Sequence, residues 1–512
     1  MKKNPPIPFN ISGRGKIEIT IILMGGNIMP SLGSTARIVY NNSNQPIELF
    51  KNVQSQSRTL EVVGSNNDSV KSENNGAGKS EKLFEDNFLN LKEFLTPESD
   101  FIKKAKHKSL DDILLMMQAN QWDNIISLYY PVDEKNPELV VSGADLPIRE
   151  KVAFALGQLQ RFDEAIAELE TCIKREPENF YTRSSLGYIA YNSLFALKNR
   201  EIMLTPQVKA QRIALAHTNF VKAQQLKPDG VTCFYREGML YTQIENKPDP
   251  AIPLFSKACL NWEKLTGDQR LERHQEKKNY IKSLYRLASL ILEKGDAKGA
   301  LARITICIAE DEKRNYLSPS FKYFALGKVY FQLGSHEKAK DALVFAMKSG
   351  TSGGQPDQFV VELLARTLLT LGDSQKALEL LNSIPEKMRR PYFRWTESDV
   401  FCSLHRFKEA EQTLRTAVER DMMSKHKTLI RLVKIHYMQR DFETAEKAAA
   451  QAVQFFRQQW NNPYNEGLFW QALATFRMGR RKEAETLAME LQKNCPHYSK
   501  LGTLLATIRS DG

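Results

Sequence analysis

The stretch Phe324-Ala325-Leu326-Gly327-Lys328-Val329-Tyr330-Phe331-Gln332-Leu333-Gly334, with Ala339 five residues beyond it, decides the fold. Its large apolar residues recur at helical spacing and stop at Leu333-Gly334-Ser335, a sequence that breaks a helix. A second helical pattern then carries Ala339, Leu343 and Ala346 on one face. Two antiparallel helices approach closely only where small residues meet. Gly327 on the first helix and Ala339 on the second are placed to do this, and large residues fill the gaps beside them.

The same offsets recur along the chain. An anchor alanine falls at Ala165, Ala216, Ala251, Ala300, Ala339, Ala377, Ala410, Ala445 and Ala484. Four residues after most anchors comes a large apolar residue, such as Leu169, Phe220 or Ile304. Seven residues after comes another interior position, such as Cys172, Cys307 or Leu491. Twelve before most of them lies a small or compact residue, such as Ala153, Ala288, Gly327 or Ala472; Gly187 and Gly238 hold this place where insertions stretch the spacing. Turns fall between the paired helices, as at Gly295-Asp296, Leu371-Gly372-Asp373, His405-Arg406-Phe407, Arg440-Asp441-Phe442 and Met478-Gly479-Arg480.

With its small positions in phase, the pattern resembles the tetratricopeptide repeat family, a helix-turn-helix unit of about 34 residues. Gln160-Arg161-Phe162-Asp163-Glu164-Ala165 with Pro177 is a second close match, and Pro228 and Pro496 hold the family's terminal proline position. The family's first-helix tryptophan is replaced by residues such as Leu284, Tyr323 and Leu468. The resemblance covers residues 146–497 as nine repeats, with a degenerate first repeat at 106–145 and a capping helix and tail at 498–512. It implies an all-α, right-handed α-solenoid of about nine to ten repeats, of bacterial type, behind an N-terminal arm over residues 1–105. Anchor spacings of 51, 35, 49, 39, 38, 33, 35 and 39 place insertions at Asn199–Gln207, Trp262–Gln275 and Ser349–Gln358.

The arm reads differently. Residues 16–23 and 35–40 lean towards strands. Asn41 to Ser80 is rich in Asn, Ser, Gly and Gln, and such a segment buries too little surface to offset its ordering entropy, which predicts a disordered linker. Phe84–Leu95 reads as a short helix. Gly76-Ala77-Gly78-Lys79-Ser80 imitates a phosphate-binding loop, but Glu73 stands where the first glycine belongs. A start of the native chain at Met29 is an expectation that peptides from residues 1–28 would overturn.

Composition bounds the rest. The 512 residues are 42% hydrophobic and 26% charged, as in ordinary folded proteins. No run reaches the ~18–20 apolar residues that span a bilayer. Six cysteines lie far apart and form no C-x-x-C pair, which fits a reducing cytoplasm. His336-Glu337 begins a metalloprotease-like pattern that fails at Lys340. No nucleophile elbow, dinucleotide fingerprint or ligand cluster appears, so the expectation is a non-catalytic protein without cofactor or metal.

The resemblance implies that first helices line a ligand-binding concave face. Its groove positions fall on Tyr181, Tyr188, Tyr191, Tyr235, Tyr285, Lys328, Trp395, Lys434 and Tyr437. Glu150 and Phe154 stand where the carboxylate-clamping members of the family carry Lys and Asn, which argues against that mode. The formal charge of +12 is uneven: residues 386–440 hold thirteen Lys/Arg against seven Asp/Glu, half of the excess. Arg389, Arg390 and Arg394 beside Trp395 form the candidate basic site, expected on an exposed face. The favoured reading is an adaptor that binds a peptide or partner helix, with an acidic partner among the candidates. The alternatives are a nucleic-acid-associated or regulatory protein using the basic repeats, and an envelope assembly factor.

Overall fold

The nine anchor alanines, Ala165 to Ala484, are all fully buried in the computed structural model. The residues four and seven positions later are buried with them, from Leu169 and Cys172 to Ala488 and Leu491. The structure describes residues 10–12, 16–23, 34–39, 100–350, 357–421 and 423–510. The expectations for the linker, for the helix at Phe84–Leu95 and for Gly76–Ser80 lie outside the described residues.

Three strands, β1 (Asn10–Ser12), β2 (Lys16–Leu23) and β3 (Ser34–Val39), form an antiparallel sheet in the order β1-β2-β3. Its register pairs Asn10 with Glu18 and Ile19 with Ile38. The remaining described elements are helices, and the chain divides into two units, Met1–Leu254 and Phe255–Gly512.

In the first unit, α1 (Asp100–Gln118) turns into α2 (Trp122–Tyr129), and two short helices follow, α3 (Val132–Lys135) and α4 (Pro137–Ser142). Then come the pairs α5 (Leu146–Gln158) with α6 (Phe162–Arg175), and α7 (Phe180–Lys198) with α8 (Pro206–Leu226). α9 (Thr232–Leu240) runs into a π-turn at Tyr241–Glu245 before α10 (Pro248–Glu263), inside which the two units divide. His217 on α8 holds that turn, with its ring nitrogens 3.0 Å from Glu237 and 2.6 Å from Glu245.

The second unit continues through the short α11 (Gly267–Glu272) to the pair α12 (Lys277–Glu293) and α13 (Ala297–Glu310). The next pairs are α14 (Pro319–Gln332) with α15 (His336–Ser349), and α16 (Gln358–Thr370) with α17 (Ser374–Asn382). α18 (Pro391–Ser403) pairs with α19 (Phe407–Arg420), and α20 (Lys425–Met438) with α21 (Phe442–Trp460). α22 (Asn465–Arg477) pairs with α23 (Arg481–Asn494), and α24 (Leu501–Ser510) closes the unit. Leu501, Leu504, Leu505 and Ile508 of α24 are buried, so this helix covers the apolar end that the last repeat leaves open.

The pairing follows from the small positions. A Cβ added to Gly327 would come within 2.6 Å of Leu343, and one on Gly187 within 2.7 Å of Phe220. Each glycine therefore receives the large residue four after the anchor of its own repeat. The turns are equally regular. Each first helix, from α1 through α22, ends on a residue of positive φ: Asn120, Gln160, Arg200, Asn246, Gly295, Gly334, Gly372, His405, Arg440 and Gly479. Around Gly334 the Ser335 N–H donates to the Tyr330 carbonyl at 2.9 Å and the Gly334 N–H to Phe331 at 3.1 Å. The same two bonds recur around Arg440, from Asp441 to His436 and from Arg440 to Tyr437. This arrangement satisfies the orphan carbonyls at the helix end and needs a left-handed residue there.

One insertion differs from the sequence-based reading. Trp262 belongs to α10 and is buried, stacked on Tyr280 with ring centroids 5.6 Å apart. The inserted segment is shorter, and its helix α11 starts with a capping box between Thr266 and Gln269.

Candidate partner-binding face

In each unit, first helices touch the first helix of the following repeat, and consecutive second helices do not approach to the same extent. The first helices therefore lie on the inner side of each unit's curve. Two sets of positions look out from them: the residue two before the small crossing residue, and the residue one after it.

In the second unit these positions carry cations set on aromatic rings. Arg431, two before Val433, lies 4.8 Å from the Trp395 ring centroid and 4.0 Å from Asp399. Lys434, one after Val433, lies 5.7 Å from the Trp470 ring and 3.2 Å from Glu466. Arg366 covers the Phe331 ring at 5.1 Å. Arg477 donates to the Tyr437 hydroxyl at 2.9 Å, and the Trp395 indole N–H donates to Thr428 at 2.8 Å. Burial raises the Glu362 carboxyl, and the Thr396 hydroxyl that donates to it at 2.5 Å works in the other direction. Crowding by protein likewise raises the Asp399 carboxyl, although half of its side chain is exposed.

Several expected residues fall on this face. Lys328 is exposed on α14, and Trp395, Lys434 and Tyr437 are half-buried on α18 and α20. In the first unit Tyr181 is 69% exposed, Tyr188 carries Arg236 over its ring at 3.9 Å, and Tyr235 is half-buried. Tyr191 and Tyr285 are buried and pack the interior. For Tyr285 that burial raises the phenol.

The candidate basic site needs a correction. Arg390 is exposed, but Arg394 is only 4% exposed, and the Arg389 side chain is buried in an ion pair with the buried Glu397. Arg389 also donates to the Ile384 carbonyl at 2.8 Å, and Arg394 to the Glu386 carbonyl at 3.0 Å. The physical reason lies in the repeat register. Arg394 stands four residues before Ser398, the place held by Leu284 and Leu468 in other repeats, and that place faces inward. These three arginines therefore do not share one exposed face.

Sequence reasoning missed Arg431, Trp470 and Arg286. The signal was available, because all three stand two residues before the small crossing residue, as Arg236 does. No group of three or more His, Cys, Asp or Glu among the described residues is placed to hold a metal. No described helix is long and apolar enough to cross a membrane.

The architecture is that of a helical-repeat scaffold. The tetratricopeptide repeat family model matches residues 149–179 and 323–344, within α5–α6 and α14–α15. These two segments are similar to the tetratricopeptide repeat, a unit whose families generally mediate protein–protein contacts. Among solved structures, a tetratricopeptide repeat protein from Parabacteroides merdae is 12% identical, with a TM-score of 0.37 over 57% of this chain and 98% of that one. Yeast Tom70 is 13% identical, with a TM-score of 0.36 over 80% of this chain and 96% of its own. The pilF protein of Pseudomonas aeruginosa is 13% identical, with a TM-score of 0.34 over 45% and 99%. No curated protein matches the chain in sequence.

Proposed function

We propose that this protein is a non-catalytic scaffold that binds an extended segment or helix of a partner protein along the inner face of its first helices. The observation that carries this reading is the set of cations mounted on rings of a neighbouring first helix, Arg366 of α16 on Phe331 of α14, and Arg431 and Lys434 of α20 on Trp395 of α18 and Trp470 of α22. Rigid aromatics give contact area at low entropic cost, and the cations beside them can take a carbonyl or carboxylate. Lys328, Trp395, Lys434 and Tyr437 are the contact residues in the second unit, and Tyr181 and Tyr188 in the first.

Site-specific photocrosslinking in cells tests the reading. A photoreactive residue at Lys328, Asp399 or Arg477 on first helices should capture a discrete partner, and one at Lys340 or Lys447 on second helices should not. Capture from the second-helix positions alone, or from none, would sink it. A reducing cytoplasm is the proposed location, supported by six free cysteines, four of them buried. Fractionation of the native protein into the cell envelope would contradict it.

A further inference from the structure

On the first helices of the later repeats, Arg366, Arg431 and Lys434 each lie within 4.0 Å of a carboxylate, but a stripe of cations on α12 does not. α12 presents Lys278, Lys282 and Arg286 at successive four-residue intervals, about 6 Å of rise apart, on one half-buried stripe of a first helix. Among the described residues, none of the three has an ion pair or a side-chain hydrogen bond. The adjacent Lys277, by contrast, is paired with Glu310 at 3.0 Å. Among the described residues, the charges that act on Lys282 are the two cations on either side of it. Like charges at four-residue spacing destabilise a helix, so the stripe costs the folded chain something that a bound anion would return. The stripe continues in kind on α14. Lys328 stands one after Gly327, the repeat equivalent of Ser289 beside Arg286, and it is exposed and unpaired.

We infer that this α12 stripe is the docking site for an acidic segment of the partner protein, with carboxylates meeting Lys278, Lys282 and Arg286. The inference rests on the proposed binding along the first helices and gives its ligand a charge. Two features favour a peptide over a nucleic acid. The unpaired stripe spans only about 12 Å. The first helices further along the same unit carry carboxylates, Glu362, Asp399 and Glu466, which would repel an unbroken phosphate backbone but suit a partner of mixed charge.

The test uses the full chain and three labelled probes: an oligoglutamate peptide, its oligoglutamine counterpart and a single-stranded oligonucleotide. Fluorescence anisotropy should show binding of oligoglutamate, weakening as salt is added, and none of oligoglutamine. Combining Lys278→Gln, Lys282→Gln and Arg286→Gln should weaken oligoglutamate binding about tenfold or more. Lys340→Gln with Lys447→Gln on second helices should leave it unchanged. Circular dichroism confirms folding, and the single variant Lys282→Glu serves if the triple variant is unstable. Equal binding of the two peptides, no binding of oligoglutamate, or undiminished binding by the folded triple variant would overturn the inference. Tighter binding of the oligonucleotide, lost in the same variant, would overturn it in favour of nucleic acid. Photocrosslinking at Lys328, Asp399 and Arg477 reads the broader proposal independently, so a chain that captures a partner there but ignores oligoglutamate loses only the acidic assignment.

Discussion

A left-handed backbone is cheap for glycine and costs other residues about 1–2 kcal/mol. Four of the first-helix ends use glycine, but His405 (φ 58°) and Arg440 (φ 62°) hold the same conformation with a side chain attached. Arg440→Gly should therefore raise stability by about 0.5–1 kcal/mol, after allowing for the extra freedom glycine gives the unfolded chain. Urea denaturation of the two proteins checks this, and a lower midpoint for the variant would contradict it. Arginines at the start of α18 make a sharper contrast. Arg390 is exposed, and its change to alanine should move stability by no more than about 0.5 kcal/mol. Arg389→Ala leaves Glu397 buried without its cation and should cost about 3–5 kcal/mol. Equal effects of the two substitutions, in the same denaturation experiment, would mean that the ion pair contributes little.

Helix pairs are where the sequence was most legible, because close packing leaves a periodic mark. Ala339 could be read as a crossing residue since Gly327 and Leu343 stand at fixed offsets from it, and all three meet in the structure. The turn at Leu333-Gly334-Ser335 was legible for a similar reason, because a left-handed helix end selects its residue. Arg440 and His405 show the limit of that second signal, since hydrogen bonds around the turn impose the conformation even where the residue does not favour it. The candidate face was less legible. Arg394 and Trp395 are adjacent in sequence, but one helical step of about 100° separates them, so one enters the interior and the other meets Arg431. Composition alone grouped them. Whether a cation is neutralised depends on contacts between repeats, such as Lys434 with Glu466, which no local pattern records. The register itself is open to test. Ala339→Leu places three extra carbons where α14 crosses α15 and should destabilise by about 1–3 kcal/mol through overpacking. Thermal denaturation of the full chain would show it, and an unchanged midpoint would contradict the assigned crossing.

Across the whole chain, net charge proves a poor guide to where charge is available. Residues 386–440 carry half of the +12 excess, and yet Arg389, Arg406, Arg415, Arg431 and Lys434 each lie within 4.0 Å of a carboxylate. The α12 stripe lies outside that segment and has no such partners, and stability should register the difference. Burial, reinforced by repulsion from Lys278 and Arg286, pulls the Lys282 ammonium down to about 8, from a usual value of 10.5. Below pH 8 the folded chain must hold this charge against its surroundings. Between about pH 8 and 10.5 the folded state binds fewer protons at Lys282 than the unfolded state does, so this group's contribution to stability becomes more favourable as pH rises through that window. Lys282→Met removes the penalty at every pH. The variant should therefore be the more stable protein at pH 7, and its advantage should shrink as the pH passes 8 and approaches 10. Urea midpoints for both proteins at pH 7, 8.5 and 10 measure that difference directly. An advantage that stayed constant with pH would assign the effect to packing by methionine and not to the uncompensated charge.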